Sequence, residues 1–226
     1  MESTRINYSN ECEVKVNDLI VKLLGGEQTY TNLAHLCFTE KVNMFNMGAY
    51  FEQCGLRMRC LADKMMRYQC IRGGIVRFTE VNNLFTCPTV NEIFTNIPIK
   101  KLISIAFDSE KIIEQTLREL NTLARKQNDC VTGEITEGKL MQHQLYMLTM
   151  LKKHMNTLEQ FEVEHNTNGK TPLNGVYTFD RIVMPTEVQR LIELISNYFG
   201  MNKINMTVGK TCDTLCTGVF DLKNLE

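Results

Sequence analysis

The chain has 226 residues, 43% of them hydrophobic, and a formal net charge of −1 at pH 7. That length suits one large domain, or one domain with an appendage, and it can bury a real core. The near-zero charge and the lack of any Lys/Arg-rich run predict no nucleic-acid partner, and no stretch of about 18 apolar residues is available to cross a membrane.

The nine cysteines are odd in number, and the opening "MESTRINYSNECEVKVND" has no basic segment followed by an apolar run. Reduced thiols in a cytoplasmic protein are the expectation. Cys212 and Cys216 have no further Cys or His beside them, so no zinc site is expected there. The sequon Asn205-Met-Thr207 is idle without secretion.

In chain order, the pattern predicts a first helix over about 9–38. Its seam is Val16, Leu19 or Ile20, Leu23, Glu27, Tyr30, Leu33 or Ala34, and Cys37. Gly25 and Gly26 interrupt it, each at a cost of ~1 kcal/mol against Ala, so the helix must be held by packing. A second helix is predicted over about 44–71, with the seam Met47, Phe51, Cys54, Met58, Leu61, Met65 and Tyr68. Gly73 or Gly74 supplies its left-handed stop. Residues 75–95 read as an extended crossover.

A third helix is predicted over about 97–127, with Pro98 in its first turn and the seam Ile99, Leu102, Ile103, Ala106, Glu110, Ile113, Leu117, Leu120 and Ala124. A fourth over about 134–161 has the seam Met141, Gln144, Leu145, Leu148, Leu151, Met155 and Leu158. Asp129 and Thr132 sit in the short turn between them. Residues 164–172 read as a loop, and 173–184 as a short helix or extended segment. Residues 186–199 read as an amphipathic helix with Thr186 as N-cap and Gly200 as stop. Residues 201–226 show no strong period.

Four long helices of matched length with one long crossover predict an all-α four-helix bundle over 1–184, with a C-terminal extension over 185–226 carrying one amphipathic helix. Two seams hold a residue of the wrong kind: Glu110 between Ala106 and Ile113, and Gln144 between Met141 and Leu148. A buried carboxylate needs a partner or a proton, and Tyr30 can offer a hydroxyl to the same region. A metal centre needs several hard oxygen or imidazole ligands, and one inward carboxylate is too few; a satisfied polar cluster is the competing explanation. The Glu-x-x-His at Glu162–His165 falls at the frayed end of the fourth helix, and His35, His143 and His154 share no evident seam. No phosphate-binding loop, nucleophile elbow or CxxC is present.

"RINYSNECEVKVN" near the start and "ADKMMRYQCIRGG" at 62–74 resemble the opening of the first helix and the end of the second in animal ferritins, and "SEKIIEQTLRELNTLARKQND" at 109–129 resembles the third. "TPLNGVYTFDRI" is similar to the short fifth helix. The resemblance covers about 5–181. It implies an antiparallel four-helix bundle with a long crossover between helices two and three and a short fifth helix; the extra C-terminal helix over 186–199 is a departure from the family's pattern. It implies iron as cargo and other ferritin subunits as partners in a homo- or hetero-oligomer, with no nucleic acid and no membrane.

Carried over by position, the resemblance places the family's iron ligands on Leu23, on Met58 and Leu61, on Glu110 and on Gln144, with the neighbouring tyrosine at Tyr30. Tyr30, Glu110 and Gln144 are then remnants of a metal site with iron weak or absent, and Leu23, Met58 and Leu61 are lost ligand positions. The second helix's inward acids fall on Gln53, Leu56, Arg57, Cys60 and Asp63, of which only Asp63 is acidic. Arg57 is expected to reach Glu110 as a buried ion pair. The two acids of the family's threefold channel fall on Glu134 and Glu137, where stabilising a helix N-terminus is an equal explanation. The expectation is a cytoplasmic ferritin-like subunit without ferroxidase activity, alone or modulating active subunits; the alternative is an interaction protein that keeps only the bundle.

Overall fold

The structure is a computed structural model that describes residues 5–95, 99–167 and 173–199; among them every regular element is helical. α1 spans Asn10–Phe38, and Ser9 caps it by accepting a hydrogen bond from the Cys12 amide at 3.1 Å. α2 spans Phe45–Ile71 and ends at Gly73, whose φ of 74° is the left-handed geometry that glycine adopts without strain. The chain then crosses over, mostly without regular structure, and ends the crossover in a single short helix, α3 (Val90–Thr95), which the sequence reading did not foresee.

α4 spans Lys100–Lys126, starting later than expected; residues 96–98, including Pro98, lie outside the described residues. The fourth rod starts four residues earlier than expected, because Asp129 caps α5 (Cys130–Ile135) through the Thr132 amide. A π-helical turn, Thr136–Leu140, follows and leads into α6 (Met141–Thr167). The last rod is α7 (Leu173–Thr178), a second π-helical turn (Phe179–Val183) and α8 (Met184–Phe199), one continuous helical run. Thr186 is therefore exposed helix interior, not an N-cap; Gly200 lies outside the described residues.

Directions follow from which residues meet. Tyr30 and Gly26 of α1 lie against Phe51 and Met58 of α2, so the two are antiparallel. Lys15 and Tyr30 reach Glu119 and Glu110 of α4, which is also antiparallel to α1. α2 and α4 thus run the same way, and the crossover must travel the length of the bundle. No described helix is long and apolar enough to cross a membrane.

Of the two helix-breaking glycines of α1, Gly25 has a packing reason and Gly26 does not. A Cβ on Gly25 would sit 2.3 Å from the carbonyl oxygen of Asn82, because the crossover lies directly on α1 there and is tied to it by the Leu84 amide donating to Thr29 Oγ1 at 2.9 Å. A Cβ on Gly26 would meet only the Met58 side chain at 3.5 Å, an ordinary contact. Gly25→Ala is expected to lift the crossover and lower stability by about 1–3 kcal/mol. Gly26→Ala should be neutral or gain up to ~1 kcal/mol from helix propensity. Thermal unfolding of the two variants checks the contrast, with proteolysis of the crossover as a second readout for the first.

Two seams differ from the expectation. Glu27 is only half-buried and lies 3.6 Å from Arg59, off the core face. On α6 the buried face is His143, Gln144, Met147, Leu151, His154 and Leu158, while Leu145 is 64% exposed. α6 packs on α4 on one side, and its histidines meet α8 on the other. Its buried arc is therefore wide, and apolar residues alone do not define it.

Candidate metal centre

At the middle of the bundle four long helices each contribute one polar group. Tyr30 comes from α1, Arg57 from α2, Glu110 from α4 and Gln144 from α6, all essentially without solvent exposure. Arg57 Nη2 forms an ion pair and a very short hydrogen bond with Glu110 Oε1. Tyr30 donates its hydroxyl to the same oxygen at 2.5 Å. Gln144 Nε2 donates to Glu110 Oε2 at 2.5 Å and to the Glu110 carbonyl at 2.9 Å. Both carboxylate oxygens are therefore engaged by protein donors. Arg57 also faces His143 Nδ1 at 3.4 Å, Gln144 Oε1 at 3.5 Å and the Met58 sulfur at 3.7 Å.

Charge in this cluster is held by neighbours rather than by water. Burial opposes a charged guanidinium, but the Glu110 carboxylate outweighs it and raises the Arg57 pKa above its ordinary value. Burial, then the negative charge of Glu110, pushes the Tyr30 hydroxyl well above its ordinary value, so it stays a donor. Leu23, Met58 and Leu61 are buried on the same seams. Leu23, Leu61 and Gln144 line, with Leu19, Met65, Ile113, Leu117 and Leu140, a residual cavity of about 10 Å³, roughly the room of one water.

These residues do not fit a divalent cation. A metal at Glu110 would have to displace a guanidinium, both carboxylate oxygens already accept from protein donors, and the lost ligand positions offer only carbon and thioether sulfur. Among the described residues, no three His, Cys, Asp or Glu side chains converge on a point that could hold a metal ion.

The remaining sequence candidates lie elsewhere. Glu134 and Glu137 are both exposed near the start of the fourth rod, and Glu137 is paired with Arg125 at 2.5 Å. Asp63, half-exposed, lies 3.6 Å from Arg59. The side chains of Glu162 and His165 lie outside the described residues.

The sequence reading missed the layer next to the centre. His143 stacks obliquely on Tyr198 of α8 with ring centroids 4.6 Å apart, and the Lys64 ammonium lies 4.5 Å from the Tyr198 ring. His154 packs edge-on against Tyr50 and lies 3.8 Å from Glu187 of α8. The spacing His143, Met147, Leu151, His154, Leu158 is a helical stripe, and reading histidine as an amphipathic core residue would have found it.

Burial, then the positive charges of Arg190 and Lys153, lowers the His154 pKa from 6.5 to about 4; Glu187 does not reverse this, since its carboxylate already accepts from Arg190 at 2.5 Å. Burial, with Arg57 and Lys64, lowers His143 to about 3. A folded-state pKa below the unfolded one means that the unfolded chain binds the proton first. The contribution is complete above pH 6.5 and is lost as pH falls toward 4, at ~1.4 kcal/mol per unit, roughly 3 kcal/mol for His154. Urea midpoints at pH 7.5 and 4.5 should therefore differ less in His154→Leu than in the parent chain.

Comparison with known proteins gives a consistent context. The family model described as the ferritin-like domain matches residues 15–161. The chain is 23% identical to the ferritin middle subunit of Aquarana catesbeiana and to ferritin light chain 1 of Mus musculus, in each case over 80% of this chain and 96% of the relative. It is 23% identical to a chloroplastic ferritin of Malus baccata var. xiaojinensis over 78% of this chain, spanning 66% of that relative.

Proposed function

The chain belongs to the ferritin family, and from that premise we propose that it is a ferritin subunit that has lost the ferroxidase centre. It acts in intracellular iron homeostasis by co-assembling with, or modulating, active ferritin subunits. The observation that carries this reading is the occupant of the bundle centre: the Arg57 guanidinium bound to Glu110, with Leu23, Met58 and Leu61 around it. Iron is cargo for such a subunit, and Tyr30, Glu110 and Gln144 are spent on one another and on Arg57. Glu137 is paired with Arg125 within the chain, which weakens its use as a channel ligand.

Aerobic oxidation of ferrous iron by the isolated chain tests the loss of activity. The expected rate equals the buffer blank; a rate above the blank that saturates with iron overturns the reading. Co-expression with a ferroxidase-active ferritin followed by size-exclusion chromatography tests co-assembly. Cage-sized co-elution is expected.

A second reading, an interaction protein that keeps only the bundle, is favoured by one observation. α8 lies along α2 and contacts Lys64 and the His143 and His154 face of α6, so part of the bundle surface is already covered in cis. A persistent monomer or dimer in the co-expression experiment supports that reading.

A further inference from the structure

Among the described residues, the buried side-chain nitrogens and oxygens without a hydrogen-bond partner from the protein are Gln53 Oε1, Arg57 Nε, His143 Nε2, His154 Nε2, which faces Glu187 at 3.8 Å, and the Tyr198 hydroxyl. They are not scattered. Tyr198 stacks on His143, His143 faces Arg57, and His154 faces Glu187 of α8. Gln53 lies one helical turn before Arg57 on the same face of α2. The unmet polar atoms thus gather along the layer that α8 closes over.

α8 approaches this layer with an apolar face: Met184, Val188, Leu191, Ile192 and Ile195 are buried. Burial of that face favours docking. Covering polar atoms that have no protein partner opposes it. The two contributions conflict at one interface, whereas the opposite side of the bundle, α1 against α2 and α4, has its buried polar side chains paired.

The rod that carries α8 has a defined hinge and a defined anchor. Asp180, fully buried, accepts from the Met47 amide at 2.7 Å and from Asn46 at 3.3 Å, which fixes the π-helical turn to the start of α2. Beyond it stands Pro185, which has no amide to bond back along the helix. π-helical turns interrupt the regular helical ladder and mark points where a helix bends.

We propose that α8 is a hinged cover: it pivots at the π-helical turn and Pro185 while Asp180 stays seated, and its undocking lets water reach the Arg57 side of the bundle centre. The open state hydrates the unpartnered atoms of Gln53, Arg57, His143 and Tyr198, and the closed state buries the apolar face of α8. The device needs no metal and stands whether or not iron is ever bound.

Native-state hydrogen exchange with peptide-resolved mass spectrometry on the full chain tests it. Amides of 187–199 are expected to exchange about tenfold or more faster, after correction for intrinsic rates, than those of 47–65, through an opening that leaves α2 protected. In Tyr198→Phe, which removes one unpartnered hydroxyl and keeps the ring, exchange of 187–199 should slow by several-fold with 47–65 unchanged. Equal protection of the two segments overturns the hinged cover. Unchanged or faster exchange of 187–199 in Tyr198→Phe overturns the role given to the unmet polar atoms.

Discussion

Glu110→Leu is expected to destabilise the chain by about 3–5 kcal/mol, because it strands the Arg57 charge in a site closed to bulk solvent. Tyr30 and Gln144 lose the carboxylate they donate to at the same time, and Gln144 keeps only the backbone carbonyl of residue 110, 2.9 Å away. Pairing the two charges brings only a small net gain, since desolvating both offsets much of their attraction. The partner substitution separates these effects. Arg57→Met together with Glu110→Leu should recover most of the loss, as thioether and isobutyl groups fill a seam that already holds Met58, Leu61 and Leu23. Urea midpoints of the four chains in this double-mutant cycle give the coupling directly. A Glu110→Leu chain as stable as the parent would mean that the pair carries no structural weight.

Rebuilding the ligand set is the second large effect. Leu23→Glu, Met58→Glu and Leu61→His return carboxylates and an imidazole to the positions the family resemblance assigns, and Arg57→Glu frees Glu110. The four-fold variant should lose stability without metal, because it buries several unpaired carboxylates. It should regain stability on adding a divalent cation, since a ligand that binds only the folded state shifts unfolding toward it. It should oxidise ferrous iron roughly tenfold or more above the buffer blank. The same three ligand substitutions with Arg57 retained should bind metal poorly, because the guanidinium still holds the Glu110 oxygen. Thermal shift with a redox-inert cation, read beside oxygen consumption, keeps a folding failure distinct from a failed site.

The family and the bundle are legible in the sequence because four long seams repeat at helical spacing and the Arg-Gly-Gly stop closes the second helix where a left-handed residue is needed. Glu110 and Gln144 stand out as polar residues on apolar seams, and in the structure they touch. The α6 seam is harder to read. His143 and His154 count as polar in a hydropathy pattern, yet their rings are core surface, and Leu145 matches the apolar pattern while facing outward. The shared signal is masked because α6 is covered on two sides. α3 escapes notice because a six-residue helix has too few turns to show a period. Thr186 looks like a cap because Pro185 precedes it, but the π-helical turn accommodates the missing amide and the helix runs on. The α6 stripe is within reach of a reading that counts histidine as core, but its meeting with α2 and α8 is not, since those partners lie far away in the chain.

A crystal of the chain soaked in ferrous salt under anaerobic conditions and measured at the iron edge addresses the centre most directly. The expected anomalous map is flat between Tyr30, Glu110 and Gln144, with Arg57 still on the Glu110 carboxylate. A strong peak there, coordinated by protein oxygen or nitrogen with the guanidinium swung aside, would contradict the loss of the iron site.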